Sequence, residues 1–233
     1  MRCNQNTIIV DSQVVLVPYR REHVAKYHEW MTSPELQELT ASEPLTLEQE
    51  YEMQRKWRED EDKLTFVILA NEPSTSQSSS TSEPTSATEA SWLKDLPMIG
   101  DVNLFLKGDP TDEDFEAEVE IMIAEPAYRR RGLAHTVLQL FLSYATSACH
   151  HALPAPPSHV HTLPPIPRTA LVARIGMHNA PSIALFAKLG FVETKRVEVF
   201  EEVEMRWRDP EAGIGMREWK RGEVREVRFS EED

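Results

Sequence analysis

Residues 115–124 read Phe-Glu-Ala-Glu-Val-Glu-Ile-Met-Ile-Ala, and polarity changes at almost every step. Phe115, Ala117, Val119, Ile121 and Ile123 share one face, and Glu116, Glu118, Glu120 and Met122 share the other. A period of two marks a strand with one buried face. The chain then turns at Pro126, passes Arg129, Arg130, Arg131 and Gly132, and enters a helix-spaced apolar run at Leu133, Val137, Leu140, Phe141 and Tyr144. A strand that feeds a helix through a tight basic turn requires that helix to pack back onto the sheet.

The other segments extend this pattern. Residues 14–17, 64–70, 98–106 and 170–175 read as strands, and 191–207 as two more. Segments 98–106 and 115–124, joined by an acidic loop, should form an antiparallel hairpin. Residues 22–31, 46–59, 133–148 and 181–189 read as helices, with a short piece starting at Ser33-Pro34-Glu35. Thr46-Leu-Glu-Gln49 fits a capping box, a hydroxyl cap followed three residues on by a glutamine. Within 71–97, the stretch 73–91 is almost all Ser, Thr, Glu, Pro and Ala, too polar to offset its ordering entropy, and reads as a disordered insertion. Residues 149–168 read as a His/Pro-rich loop and 209–233 as a loosely held charged tail. One domain over 1–208 accommodates the rest.

Composition narrows the function. The formal net charge is −14, the opposite of the basic stripe that nucleic-acid binding requires. No apolar run approaches the ~20 residues that span a bilayer, and the first ten residues do not read as a signal peptide. Neither nucleic acid nor membrane is expected as a partner. Cys3 and Cys149 read as free thiols of a reducing compartment, cytoplasm or nucleus. Cys149 stands near His150, His151, His159 and His161, but in a proline-rich loop without zinc-ligand spacing, so no metal is expected.

Against this acidic background, three consecutive arginines at a strand-to-helix turn stand out. A helix start presents unpaired N–H groups and a partial positive charge. Gly132 removes bulk, and Ala134 keeps the approach open. Such a turn suits a diphosphate, although an idle solvated turn has the same composition. It is neither a Walker motif, lacking Gly-Lys-Ser/Thr, nor a three-glycine dinucleotide fingerprint. The stretch 179–191, Asn-Ala-Pro-Ser-Ile-Ala-Leu-Phe-Ala-Lys-Leu-Gly-Phe, opens a second helix after a strand. Asn179 and Ser182 stand at its start, as caps or as ligands.

In that order, the two stretches resemble the GNAT acetyltransferase superfamily. Arg129, Gly132 and Ala134 fill its Arg/Gln-x-x-Gly-x-Gly/Ala motif. Asn179, Ser182, Leu185, Phe186, Lys188, Gly190 and Phe191 fill its second motif. The N-terminal segment, with Trp30 and "LTASEPLTLEQEYEMQ", and the later "GDVNLFL" and "IMIAEP", is similar to the N-acetyltransferase 9-like branch. The resemblance implies a mixed, largely antiparallel sheet of six to seven strands with a central splayed parallel pair, flanked by about four helices. It implies acetyl-CoA as cosubstrate, its arm beside Ile121, Met122 and Ile123. The diphosphate is expected on Arg129, Arg130, Arg131, Gly132, Leu133, Ala134 and His135. Asn179, Ser182 and Phe186 should line the same channel.

An amine attacks a thioester only when neutral, so a general base is useful near pH 7. Glu118 and Glu120 are the candidates, although with Glu116 they also make an ordinary solvated acidic face. His28, Trp30, Asp101 and Asn103 are candidates for binding the amine substrate. Many family members carry a tyrosine where this chain has Phe186, which cannot donate a proton to the leaving thiolate. That role would fall to Tyr144, to water, or to nothing. The leading expectation is N-acetylation of a protein or peptide amine by direct attack. A small-molecule amine acetyltransferase, or a catalytically weak acetyl-CoA-binding interaction protein, are the alternatives.

Overall fold

The computed structural model describes residues 2–72, 90–147, 165–209 and 218–229. The Ser/Thr-rich run, Cys149 with its neighbouring histidines, and the first part of the tail lie outside the described residues. Nine strands form one sheet: β1 (Thr7–Val10), β2 (Val14–Pro18), β3 (Lys63–Ala70), β4 (Met98–Lys107), β5 (Glu116–Ile123), β6 (Leu171–Gly176), β7 (Phe191–Val197), β8 (Glu202–Trp207) and β9 (Glu223–Glu226). Their order is β7-β8-β6-β5-β4-β3-β2-β1-β9. Every neighbouring pair is antiparallel except β5 and β6. The helices are α1 (Val24–Met31), α2 (Pro34–Leu39), α3 (Leu47–Glu59), α4 (Leu133–Thr146) and α5 (Ala180–Lys188). No helix among the described residues is long and apolar enough to cross a membrane.

Alternation along the strands divides the core in two. Ala117 and Val119 of β5, Val102 and Leu104 of β4, and Phe66 of β3 pack with Val137, Leu138 and Phe141 of α4. On the opposite face, Val15, Val17, Val67 and Met122 pack with Tyr27, Trp30 and Met31 of α1 and Leu36 of α2. The α3 capping box forms: the Thr46 hydroxyl accepts from the Gln49 N–H at 3.3 Å, and the Thr46 N–H donates to Gln49 Oε1 at 2.8 Å.

The sheet has nine strands rather than six to seven, because β1 and β9 extend it beyond β2. The described end of the tail is therefore not loose. Trp219 is buried and its ring meets that of Trp207 at 6.0 Å, while β9 pairs with β1 from Thr7↔Glu226 to Val10↔Glu223. β9 has only one apolar residue in four, so its sequence shows no strand pattern; main-chain pairing alone carries it.

Candidate active site

The parallel pair holds for only two rungs, Ala117↔Leu171 and Glu118↔Val172. Beyond them β5 stays with β4 as far as Gly100↔Ile123, and β6 follows β8 to Gly176↔Glu202. A gap opens between them. The Ala124 N–H donates to the Ile99 carbonyl at 2.9 Å, so Ala124 faces β4. Antiparallel alternation then turns the main-chain groups of Ile121 and Ile123 into the gap and those of Met122 toward β4. Met122 therefore offers no main-chain contact to the gap, and its side chain lies in the core beneath α1. Gly100 permits the close approach of β4: a Cβ there would stand 1.9 Å from the Met122 carbonyl oxygen.

The basic turn lies at the end of β5. Pro126–Tyr128 is a 3-10 turn, Arg130 has φ of 60°, and Gly132 caps α4 with φ of 82° and no side chain. Among the described residues, no acceptor takes the N–H of Arg130, Arg131, Gly132, Leu133 or Ala134. The flanking amides of Arg129 and His135 are taken, by Pro126 O at 3.2 Å and Gly132 O at 3.1 Å. Unspent N–H groups at the start of a 14-residue helix make an anion site of the kind that holds phosphate.

The arginine side chains do not act as a set. Arg129 Nε donates to the Ile123 carbonyl at 2.9 Å, Nη2 donates to the Ala124 carbonyl at 3.1 Å, and Nη1 pairs with Glu35 of α2 at 2.9 Å. It braces the turn and is spent. Arg131 lies over the Tyr128 ring and reaches Glu72 at 3.4 Å. Arg130 is exposed and without a side-chain partner among the described residues.

The second helix start is closed. Asn179 Oδ1 accepts the Ser182 N–H at 3.2 Å, so these two residues cap α5. Phe186 is buried with its ring against Phe191 at 5.1 Å. It supports the helix from below.

The carboxylates of β5 differ sharply. Glu118 is buried and bound by Lys107 and, at 2.7 Å, by Arg174. Glu120 has no hydrogen bond or ion pair among the described residues and stays reachable from solvent, although protein surrounds most of its carboxyl group. That desolvation, with the nearby charges of Glu118 and Asp101, pushes its pKa up to about 7. A base poised near 7 takes a proton most usefully at neutral pH. Directly across from it on β4 stands Asn103, which accepts from Thr65 at 2.8 Å and donates to Asp101 Oδ2 at 2.6 Å. Burial pushes the Asp101 pKa up to about 7 as well. Asp101 and Asn103 thus form a buried network beside Glu120. Trp30 is a core residue, buried, with its indole N–H donating to Glu125 at 2.8 Å. His28 is half-buried, 3.9 Å from Glu50.

Sequence reading missed Arg174 and Lys107, the partners that occupy Glu118. An arginine inside the apolar run Leu-Val-Ala-Arg-Ile was the available signal, but its partners emerge only from the strand register.

The acetyltransferase (GNAT) domain family matches residues 13–192 of the chain. This chain belongs to that family. Within it, the chain falls in the N-acetyltransferase 9-like branch. It is 44% identical over 203 residues to the alpha/beta-tubulin-N-acetyltransferase 9 of Drosophila melanogaster, covering 87% of both chains. It is also 44% identical over 209 residues to the human protein of that name, covering 88% of this chain and 85% of that one. An N-acetyltransferase 9-like protein of Schizosaccharomyces pombe is 38% identical, over 88% of this chain and 97% of that one. In fold, the chain is similar to the spermidine N-acetyltransferase of Vibrio cholerae solved with CoA and spermine. The TM-score is 0.57 at 18% identity, over 84% of this chain and 94% of that one. The protein is thus a GNAT acetyl-CoA-dependent N-acetyltransferase. Among the described residues, no group of His, Cys, Asp and Glu side chains could hold a metal ion.

As a GNAT enzyme it lacks a phenol at Phe186, and Tyr144 does not replace it. The Tyr144 ring meets Phe66 at 5.6 Å and its hydroxyl lies near Thr7 and Cys3, on the β1 side of the sheet.

Proposed function

We propose that this enzyme acetylates an amine of a protein substrate, with α- or β-tubulin as the acceptor and Glu120 as the general base. The observation that carries the reading is the coincidence of two unspent groups at one place: the open amides of Arg130–Ala134 and the unpaired Glu120 carboxylate, both on the strand that borders the gap. The tubulin acceptor rests on the names of the fly and human relatives.

Acetyl-CoA supplies the activated acetyl group. The N–H groups of Arg130, Arg131, Gly132, Leu133 and Ala134 bind its diphosphate, and the exposed Arg130 adds charge. The main chain of Ile121 and Ile123 meets the arm, as a missing strand would. Glu120 takes the proton of the acceptor ammonium, and the neutral amine attacks the thioester carbon directly. The carbon–nitrogen bond forms and the carbon–sulfur bond breaks. With phenylalanine at 186 and Tyr144 remote, water protonates the thiolate.

The test is transfer of labelled acetyl from acetyl-CoA to purified tubulin, with spermidine as the small-amine control and mass spectrometry to locate the modified nitrogen. Label on tubulin and none on spermidine is expected. Label on spermidine alone would contradict the protein acceptor. In the same assay the rate of the natural enzyme should rise through about pH 7, as Glu120 loses its proton. Glu120→Gln should lower kcat by ~10²-fold or more with acetyl-CoA affinity unchanged. A Glu120→Gln enzyme with full turnover would place the base elsewhere.

A further inference from the structure

Arg174 of β6 is the centre of an ion-pair network on the face of the sheet that carries Glu120. Its Nη1 donates to Glu118 at 2.7 Å, and its Nη2 donates to Glu116 at 2.8 Å and to Glu204 of β8 at 3.2 Å. Arg206 of β8 closes the ring, bonding Glu204 at 2.8 Å and Glu116. Lys107 of β4 holds Glu118 from the other side.

The register explains which carboxylates are caught. The last parallel rung is Glu118↔Val172. Two more residues of the same register would set Arg174 beside Glu120, close enough to neutralise it. The strands part first. Arg174 then reaches back along β5 to Glu118 and Glu116, and Glu120 is left alone. The separation that opens the gap therefore also frees the carboxylate within it.

We propose that Arg174 is a positioning residue for acetyl transfer: by holding Glu118 and Glu116 at the foot of the parted strands, it leaves Glu120 as the one unpaired carboxylate of β5 and offsets the negative charge beside it. This rests on the reading of Glu120 as the base. The charged and titratable groups that face Glu120 are Glu118 on β5, Asp101 and Lys107 on β4, Lys63 on β3 and Tyr27 on α1. Arg174 acts through Glu118. Without it, Glu118 keeps only Lys107, the site becomes more negative, and Glu120 holds its proton to higher pH.

The experiment follows the side-chain carboxyl of Glu120 by carbon NMR across pH in the full chain, its signal assigned by its loss in Glu120→Gln. In Arg174→Gln the midpoint should rise by ~0.5–1 pH unit, and in Arg174→Lys, which keeps the charge, it should stay within ~0.3 of the natural enzyme. Glu118→Gln leaves the Arg174 charge uncompensated and should lower it. It decides the matter should Arg174→Gln fail to fold. A loss confined to packing would lower melting temperature and leave the midpoint still. An unmoved midpoint in folded Arg174→Gln, or in Glu118→Gln, would overturn the proposal. Full transfer by Glu120→Gln would instead sink the base assignment, whatever the titrations show.

Discussion

α4 follows β5 and α5 follows β6, so both helices start at the same edge of the parted strands, yet their first turns are completed differently. α5 is capped by a side chain: Asn179 Oδ1 accepts the Ser182 N–H. α4 starts at Gly132, which has no side chain to offer, and the N–H groups from Arg130 to Ala134 have no partner among the described residues. A side-chain cap at a helix start is worth about 1 kcal/mol. α4 forgoes that, and its open amides make sense if a phosphate completes the turn. The comparison teaches that two motifs of similar appearance divide the labour. One start is a ligand site, and the other holds its helix in place.

The strongest attempt to break the comparison is Gly132→Glu. Charge and bulk would enter the open turn, and acetyl-CoA affinity should fall by ~10²-fold or more by titration calorimetry. Gly132→Ala is its control. A Cβ there meets nothing within 4 Å, but the φ of 82° strains any side chain, so stability should drop by about 1 kcal/mol with much of the affinity kept. If both variants bind equally, the turn is not the cradle.

Arg129→Gln comes next. It removes the brace on the Ile123 and Ala124 carbonyls and on Glu35, and should weaken acetyl-CoA by ~10-fold, with a lower melting temperature. Asn179→Ala should cost about 1 kcal/mol of stability in chemical denaturation and change affinity less than ~3-fold. A large affinity loss there would mean that α5 also binds. The smallest effect belongs to Arg130→Gln. Exposed and mobile, its charge should contribute ~2–3-fold to affinity at low salt, and that difference should fade as salt is added.

The strand order and the site strand were legible because both rest on local patterns. Period-two alternation marked β5, the capping box marked α3, and the proline-to-glycine turn marked the start of α4. What stayed hidden depends on partners distant in the chain. Arg129 looked like a phosphate ligand because its own acceptors are main-chain carbonyls and a glutamate from α2. Glu118 and Glu120 were indistinguishable, since only the register of β6 shows that Arg174 stops one residue pair short. β9 was hidden because its side chains are polar and its pairing is carried by the main chain. Trp30 looked exposed in a polar helix, while its ring fills the core beneath α1 and its N–H is satisfied by Glu125.

Amide resonances give the most direct measurement. CoA is titrated into isotope-labelled enzyme, and the N–H signals of both helix starts are followed together. The account predicts that the amides from Arg130 to Ala134 shift strongly and gain protection from exchange, while that of Ser182, already bonded to Asn179, changes little. Saturation with CoA that leaves the amides from Arg130 to Ala134 unmoved would contradict it.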